Sequence, residues 1–407
     1  MELEEARARV LGAVRVLPAI AVELDSALGR VLAEDVVAQG PLPAFDSSAM
    51  DGFAVRSADL ARASHSNPVA LKIAGESRAG WPADRDLEAD SAIAISTGAI
   101  VPAGADAVVR VEHTQARDGS VRVFAPVSPG AEIRHAGEDV RAGERVIARG
   151  TALGAAELGM LAALSRAHVR CTRAPLVSVL VTGDELLGPD GPATAGSLRD
   201  SNSHMLAALA RCAGAQVLRT ARLRDRQAEI EAAIGAAVLD SDALIVCGGM
   251  SVGAHDHVRP ALQRLGAQQL VWGLALKPGH PTWFGTLDGR LVFGLPGNPV
   301  SAFVTFALLV APALAALQGA VLRDARRTAI LDEDYRKPAG RAHALRVSLD
   351  ACDDGWHARL SGPQGSHVLS SMLRADALAI IPSAATDVPA GARVHAEPLN
   401  AWSRLAR

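Results

Sequence analysis

Aromatic residues make up only 3% of the 407 positions, and Tyr335 is the single tyrosine. So few rings argue against the stacking surfaces that grip single-stranded nucleic acid without sequence preference. An excess of either charge is also lacking. The formal net charge is −3, so no general affinity for nucleic acid or for an acidic membrane is expected. Cysteine is scarce: Cys171, Cys212, Cys247 and Cys352 stand far apart. With no CxxC pair and no Cys/His cluster, neither a zinc site nor a disulfide framework is implied. The opening stretch, MELEEARARVLGAV, is acidic and amphipathic and lacks the basic region and apolar run of a secretory signal. The expectation is a soluble, cytoplasmic protein that binds neither nucleic acid nor membrane.

What the chain does have is a long apolar stretch, Leu291 to Leu317 (LVFGLPGNPVSAFVTFALLVAPALAAL). Leu291–Leu295 is the kind of run that makes a strand buried on both faces. The turn Pro296-Gly297-Asn298-Pro299 stops it, with Asn298 placed as a helix N-cap and Pro299 at the first helical position. An apolar helix is predicted from Val300 to about Leu317. Its length approaches a membrane span, but Pro312 interrupts it and it lacks flanking charges and an aromatic belt. Strand, glycine turn and capped helix form half of a parallel α/β unit whose turn suits an anion.

From Pro175 onward strands and helices alternate. Strands are predicted at Leu176–Val181, Gln216–Ala221, Ala243–Cys247, Gln269–Leu276 and Leu291–Leu295. Helices are predicted at His204–Ala213, Gln227–Leu239, Val258–Leu265 and Val300–Leu317. This pattern predicts a mainly parallel, doubly wound sheet over 175–322. Asp288-Gly289 marks a tight turn, so an antiparallel strand is expected at one edge. Ligands of such sheets bind beyond the strands' carboxyl ends. The loops there are Thr182-Gly183-Asp184-Glu185, Arg224-Asp225, the run from Gly248 to His257, Lys277-Pro278-Gly279-His280-Pro281, and Pro296-Gly297-Asn298-Pro299. Gly248, Gly249, Ser251, Gly253, Pro296, Gly297 and Asn298 are candidates for cradling a phosphate, with Lys277 supplying positive charge. Glu185, Asp225 and Asp256 are candidate oxygen ligands for Mg²⁺. Histidine ligation by His255 and His257 is set aside, because residues two apart do not share a helix face.

The remaining chain divides around this domain. Residues 1–40 with 146–174 read as a helical, linking domain, and 41–145 as an inserted β-rich module of short strands with Gly, Pro and Asp-Gly punctuation. Residues 323–407 read as a small antiparallel β domain. In the inserted module, Asp46 to Gly52, Ser96-Thr97-Gly98 and Arg134 to Asp139 carry more polar chemistry than turns require. A plain Asx turn at Asp51-Gly52 is the structural alternative.

The segments SSAMDGFAV, STGAIVPAGADAVV, AGEDV, VTGDEL, GGMSVGAHD, KPGHP, GLPGNPVSAF and QGSH occur in the order found in the molybdopterin molybdenumtransferases. This family comprises the bacterial MoeA proteins and the E domain of gephyrin, and the resemblance spans nearly the whole chain. It implies an elongated multidomain subunit in a homodimer, with the site completed by both chains. The implied reaction uses adenylylated molybdopterin (molybdopterin–AMP), molybdate and Mg²⁺ to give molybdenum cofactor and AMP. Transient contact with the adenylyltransferase that supplies the substrate, and with apoenzymes that receive the cofactor, is also implied. By matching position, Asp51, Thr97, Asp139 and Glu185 take the roles of functional cleft residues. Asp225 and Asp256 match the Mg²⁺ carboxylates, and Lys277, Ser301, Arg346 and Ser366 match contacts to the molybdate or phosphate oxyanion.

Three positions depart from the family pattern. Phe53 stands where tyrosine is common, Gly273 replaces a lysine of some relatives, and His280 stands in KPGHP where a second lysine is frequent. Two rival readings share the central domain: an adenylyltransferase that makes molybdopterin–AMP, and a non-catalytic scaffold. The first expects GGTG where this chain has Gly248-Gly249-Met250-Ser251. The second does not account for Asp51, Glu185, Asp225, Asp256 and Lys277 all being present.

Overall fold

The computed structural model describes residues 1–192, 194–250, 256–321 and 324–399. Its central sheet contains strands β1 (Leu176–Thr182), β2 (Gln216–Leu223), β3 (Ala243–Cys247), β4 (Gln268–Trp272), β5 (Trp283–Leu287) and β6 (Arg290–Leu295). They lie in the order β2-β1-β3-β6-β5-β4. β2, β1, β3 and β6 run parallel, and β5 is antiparallel to both of its neighbours. Every residue of β3 is buried, because helices cover both faces as parallel strands require. On one face Val177, Val179, Ile245 and Phe293 pack with Leu206, Phe306 and Leu314. On the other, Leu180, Leu244, Val246 and Val292 pack with Ile230, Ile234, Val258 and Leu262.

Two expectations for this sheet need correction. The antiparallel strand is not at the edge; β5 is second from it, with β4 outermost. The strand expected to run unbroken from Gln269 to Leu276 ends at Trp272. Gly273 adopts a φ of 69°, a left-handed conformation that breaks the extended run. Leu276–Lys277 then leaves the central sheet and pairs in parallel with Ala342–His343. The first helix, Leu3–Gly12, lies over this crossing. The Met1 amino group donates to the Gly273 carbonyl at 3.1 Å, and the Ala275 N–H donates to the Met1 carbonyl at 2.7 Å.

The helix after β6 runs from Pro299 to Leu317 and is the one described helix apolar and long enough to pass a membrane-span test; 78% of that apolar window is buried. It serves as a core helix. Its middle, Phe306–Val310, is a π-helical turn between two α segments. Pro312 supplies the reason, since it cannot donate to the carbonyl four residues back. That carbonyl, of Leu308, accepts from Arg7 Nε at 3.1 Å instead.

Beyond this helix, strands Arg327–Leu331, Ala342–Cys352, Gly355–Leu360, Ala377–Ile381 and Arg393–Pro398 make the C-terminal β domain. Ala342–Cys352 pairs with both Gly355–Leu360 and Ala377–Ile381, so the strands close into a barrel. One pairing, Arg327–Leu331 with Gly355–Leu360, is parallel rather than antiparallel. Leu331, Leu345, Val347 and Ile381 fill its core.

These elements, with Ala19–Glu23 paired to His168–Thr172, belong to one compact unit: 1–34, 149–155 and His168 onward. The second unit comprises 35–148 and 156–167. It contains the β-rich stretch expected over 41–145. Its six-stranded sheet has the order Ala107–Arg110, Gly52–Val55, Ser91–Ile95, Val69–Ser77, Ser120–Val123, Thr114–Arg117. Alternation sends Phe53 and Val55 to one core and Ala54 to the other.

Candidate active site

At the carboxyl ends of β1 and β2 two acidic turns are laced together. The Asp184 N–H donates to Asp225 Oδ2 at 3.2 Å, and the Asp225 N–H donates to Asp184 Oδ1 at 3.3 Å. The Glu185 carboxylate folds back over Gly183, where a side chain would meet it at 2.7 Å. Beside them Gly248 continues β3 with a φ of 94°. A Cβ there would lie 2.6 Å from the Thr182 carbonyl oxygen. Gly297 lies in ordinary contact with it, its missing Cβ position 3.6 Å from Gly248 Cα. Gly248 lets the strand ends converge, and the exposed Gly297 leaves turn backbone accessible. Asp256 precedes the helix Val258–Arg264. Ser251 and Gly253 lie outside the described residues.

Lys277 projects from the crossing strand and is exposed. Its pairing partner is His343, whose Nδ1 lies 2.7 Å from the Tyr335 hydroxyl. Burial, with Lys277, Lys337 and Arg341 close by, pushes the His343 imidazole down to about 4. His343 is therefore neutral at physiological pH, and the local charge is that of the lysines and Arg341. Such an edge favours an anion. His280 is exposed and does not pack on Trp283 through a polar contact; Trp283 Nε1 donates to Gln269. His280 Nδ1 is 2.7 Å from the Leu274 carbonyl, which makes it the donor nitrogen. The two departures meet, because a Cβ on Gly273 would lie 3.6 Å from His280 Cε1.

The turn after β6 differs from the simple cap. Asn298 occupies the N-cap position but makes no side-chain cap. Its amide donates to Ser366 Oγ at 3.2 Å, and the Ser366 carbonyl accepts the Val300 N–H at 3.2 Å. One free N–H of the helix N-terminus is thus taken by the QGSH loop. Ser301 is buried in the first turns of that helix. Arg346 is also fully buried. Its Nε donates to Ser371 Oγ, and its Nη2 donates to the carbonyls of Pro363 and Gly365. Burial lowers its pKa to about 10.

In the second unit, Asp51 Oδ1 accepts both the N–H of Thr97, at 2.7 Å, and its hydroxyl, at 3.1 Å. Gly52 allows this turn to enter the sheet, since a Cβ there would overlap the Val109 carbonyl. Ser47–Ser48 pairs with Ile133–Arg134 and brings in the third polar segment. There Asp46 accepts the Ala136 N–H at 2.8 Å and faces His135 Nδ1 at 3.2 Å. These contacts hold the Asp46 carboxyl below its usual range. A cavity of about 400 Å³ is lined by Leu42, Pro43, Arg134, Glu138 and Asp139. The structure therefore joins Asp51 to Thr97 and places Asp139 on a pocket wall.

Sequence reasoning missed a buried polar cluster around the Pro296 turn. Asn202 Nδ2 donates to the Gly297 carbonyl at 2.6 Å, and the Cys247 thiol donates to the Pro296 carbonyl at 3.3 Å. Burial, with Asp200 nearby, pushes the Cys247 thiol upward, so it is no nucleophile. Thr182 Oγ1, Asp200 Oδ2 and Asn202 Oδ1 are buried without a hydrogen-bond partner among the described residues. Arg222 Nε stands 4.0 Å from that Asp200 oxygen. The signal was present as a capping pattern, Asp200 accepting the Ser203 N–H. Among the described residues no three His, Cys, Asp or Glu side chains gather as a metal cluster. Mg²⁺ does not need one, as it commonly takes one or two carboxylates with water and substrate phosphates. Asp184 and Asp225 fit that donor set.

Comparison with known proteins decides the family. Residues 1–165 match the MoeA N-terminal region (domain I and II), 178–316 a probable molybdopterin binding domain, and 328–399 the MoeA C-terminal region (domain IV). The molybdopterin molybdenumtransferase of Haemophilus influenzae is 37% identical over 93% of both chains. The chain belongs to the molybdopterin molybdenumtransferase family. Molybdopterin molybdenumtransferase 2 of Mycobacterium tuberculosis is 38% identical over 92% of this chain and 94% of that one. The molybdopterin biosynthesis MoeA protein of Pyrococcus horikoshii superposes with a TM-score of 0.83 at 31% identity, covering 97% of this chain and 99% of its own. As a molybdopterin molybdenumtransferase family member the chain is an enzyme of molybdenum cofactor biosynthesis, and its multidomain fold is that of the MoeA structures.

Proposed function

We propose that this enzyme inserts molybdenum from molybdate into adenylylated molybdopterin, with Mg²⁺, releasing AMP and molybdenum cofactor. The observation that carries this reading is the rim of the central sheet. There the laced Asp184 and Asp225 turns stand at strand ends that also carry Gly248 and the exposed Gly297 turn, whose backbone a phosphorylated ligand can approach. Asp225 and Asp256, with Asp184 in support, are the residues to hold Mg²⁺, which when bound neutralises charge on the phosphoanhydride. Lys277 supplies a fixed cation for the oxyanion, beside a His343 that stays neutral. The phosphoanhydride P–O bond breaks, AMP departs and the terminal phosphate stays on the pterin. An oxygen of molybdate or water attacks phosphorus, so no covalent nucleophile from the chain is required. Asp51, Thr97 and Asp139 complete the reading from the second unit, in a cytoplasmic homodimer whose site draws on both chains. The adenylyltransferase upstream and cofactor-receiving apoenzymes downstream are the transient partners.

The test is AMP release from molybdopterin–AMP by purified enzyme, with Mg²⁺ and molybdate omitted in turn. Release that requires both supports the reading. Release that needs neither, or formation of molybdopterin–AMP from ATP, would replace it with hydrolysis or with the adenylyltransferase reading.

A further inference from the structure

The turn Pro296-Gly297-Asn298 is held from behind by two buried side chains. Asn202, the first residue of the helix Asn202–Cys212, donates from Nδ2 to the Gly297 carbonyl at 2.6 Å. Cys247, the last residue of β3, donates from its thiol to the Pro296 carbonyl at 3.3 Å. Both are buried, and Asp200 fixes the helix start by accepting the Ser203 N–H at 3.0 Å. Burial pushes the Cys247 thiol upward, so it keeps its proton and remains a donor. The Pro296–Gly297 and Gly297–Asn298 peptide bonds are trans, and in a planar trans peptide the N–H points opposite to the carbonyl. With both carbonyls drawn inward, the N–H groups of Gly297 and Asn298 turn outward. Both residues are exposed, and neither N–H makes a hydrogen bond among the described residues. Two adjacent outward N–H groups suit an oxyanion. Asn202 meanwhile leaves its Oδ1 buried without a partner among the described residues. An amide half satisfied in this way costs stability, which sets it apart from an ordinary packing residue.

We infer that Asn202 and Cys247 are positioning residues: by holding the Gly297 and Pro296 carbonyls they aim the Asn298 and Gly297 N–H groups at an oxyanion of the substrates. The ligand chemistry is a tetrahedral oxyanion, which molybdate and the phosphate of adenylylated molybdopterin both present. The inference rests on the proposed function for that ligand, and neither side chain touches it. Losing an outer partner that orients a binding group commonly weakens binding about 10- to 100-fold. A thiol is the weaker donor, so Asn202 carries the larger share.

Three variants test it: Asn202→Ala, Cys247→Ala, and Cys247→Ser, which returns a donor of similar size. The first readout is the order parameter of the Gly297 N–H, by NMR of enzyme labelled with ¹³C-carbonyl proline and ¹⁵N glycine. Only three Pro-Gly pairs occur in the chain, ending at Gly130, Gly279 and Gly297, so the Gly297 signal can be singled out. The second readout is the Kd for molybdate and for molybdopterin–AMP, each measured by calorimetry without Mg²⁺. In Asn202→Ala the order parameter should fall from about 0.85 to below about 0.6. The Kd of at least one of the two ligands should rise about tenfold or more, and the ligand that weakens is the one on the turn. Cys247→Ala should move both readouts the same way by less, and Cys247→Ser should bring them back toward wild type. An unchanged Gly297 order parameter in Asn202→Ala would overturn the inference, even if thermal stability falls. So would a mobile turn that binds both ligands as tightly as wild type, or wild-type enzyme that binds neither. Should Asn202→Ala fail to fold, the contrast between Cys247→Ala and Cys247→Ser decides. Neither readout needs turnover, so wild-type enzyme that binds but releases no AMP would refute the proposed function and leave this inference to its own test.

Discussion

Replacing Gly248 with alanine tests whether the rim is packed as tightly as its geometry implies. Two effects add at this position. The backbone φ of 94° is one that residues with a Cβ rarely adopt, which is worth about 1–2 kcal/mol. The new Cβ would also stand 2.6 Å from the Thr182 carbonyl oxygen and 3.0 Å from its Oγ1. Backbone cannot swing aside as a side chain can, so overpacking of about 1–3 kcal/mol is expected. Together they predict a loss of about 2–5 kcal/mol, or a fall in Tm of roughly 4–20 °C for a cooperative unit of moderate size. Gly196→Ala is the control, because Gly196 has a φ of 83° but nothing within 4 Å of its Cβ position. It should show the conformational part alone. The assay is thermal unfolding of wild type and both variants, followed by AMP release at a temperature where all are folded. Gly248→Ala should lose more Tm than Gly196→Ala and should alone lose AMP release. Equal losses in the two variants would refute the packing argument.

Asp225→Asn should keep the fold and lower Mg²⁺-dependent AMP release at least about tenfold, since an amide is a poor Mg²⁺ ligand; a titration of rate against Mg²⁺ checks it. Mixing Asp51→Ala chains with Asp256→Ala chains should restore part of the activity if two chains share each site, measured after confirming heterodimers; a mixture as inactive as either parent contradicts sharing. Asp242 is buried against Arg173 at 2.6 Å and Arg290 at 3.3 Å, so Asp242→Asn should cost about 3 kcal/mol at pH 7. Burial alone would raise the Asp242 carboxyl, but Arg173, the Leu176 N–H and Arg290 outweigh it and hold the group below its usual range. Its contribution is therefore present above about pH 4 and lost as pH falls through the lowered value, so denaturation curves of wild type and variant should converge in acid.

The central sheet was readable because Ala243–Cys247 and Leu291–Leu295 are buried on both faces and carry unbroken apolar runs. Turn chemistry likewise marked the loops at Gly248 and Pro296. What was not legible depends on partners distant in sequence. Nothing local to Leu276–Lys277 shows that it pairs with Ala342–His343 in another sheet. Closure of the barrel through Ala342–Cys352 and Ala377–Ile381 is similarly a long-range fact. The Asp288-Gly289 turn signalled an antiparallel strand, but the bounds Trp283–Leu287 went unmarked because Gly285 and Thr286 weaken a short apolar signal. Arg346 was marked by family resemblance alone; that it is buried and donates to carbonyls some twenty residues away is a long-range fact. Matching motifs identified Asp51 with Thr97, yet only the fold shows that one carboxylate oxygen takes both donors of that threonine.

The most direct test of molybdenum transfer is to count metal and nucleotide together. Purified enzyme is given molybdopterin–AMP, Mg²⁺ and molybdate, and the product is separated and analysed for dithiolene-bound molybdenum alongside released AMP. The account predicts one molybdenum gained for each AMP released, with both falling together in Asp225→Asn. AMP released without molybdenum in the product would contradict it, because the chain would then be a hydrolase of the adenylylated pterin and not a metal-inserting transferase.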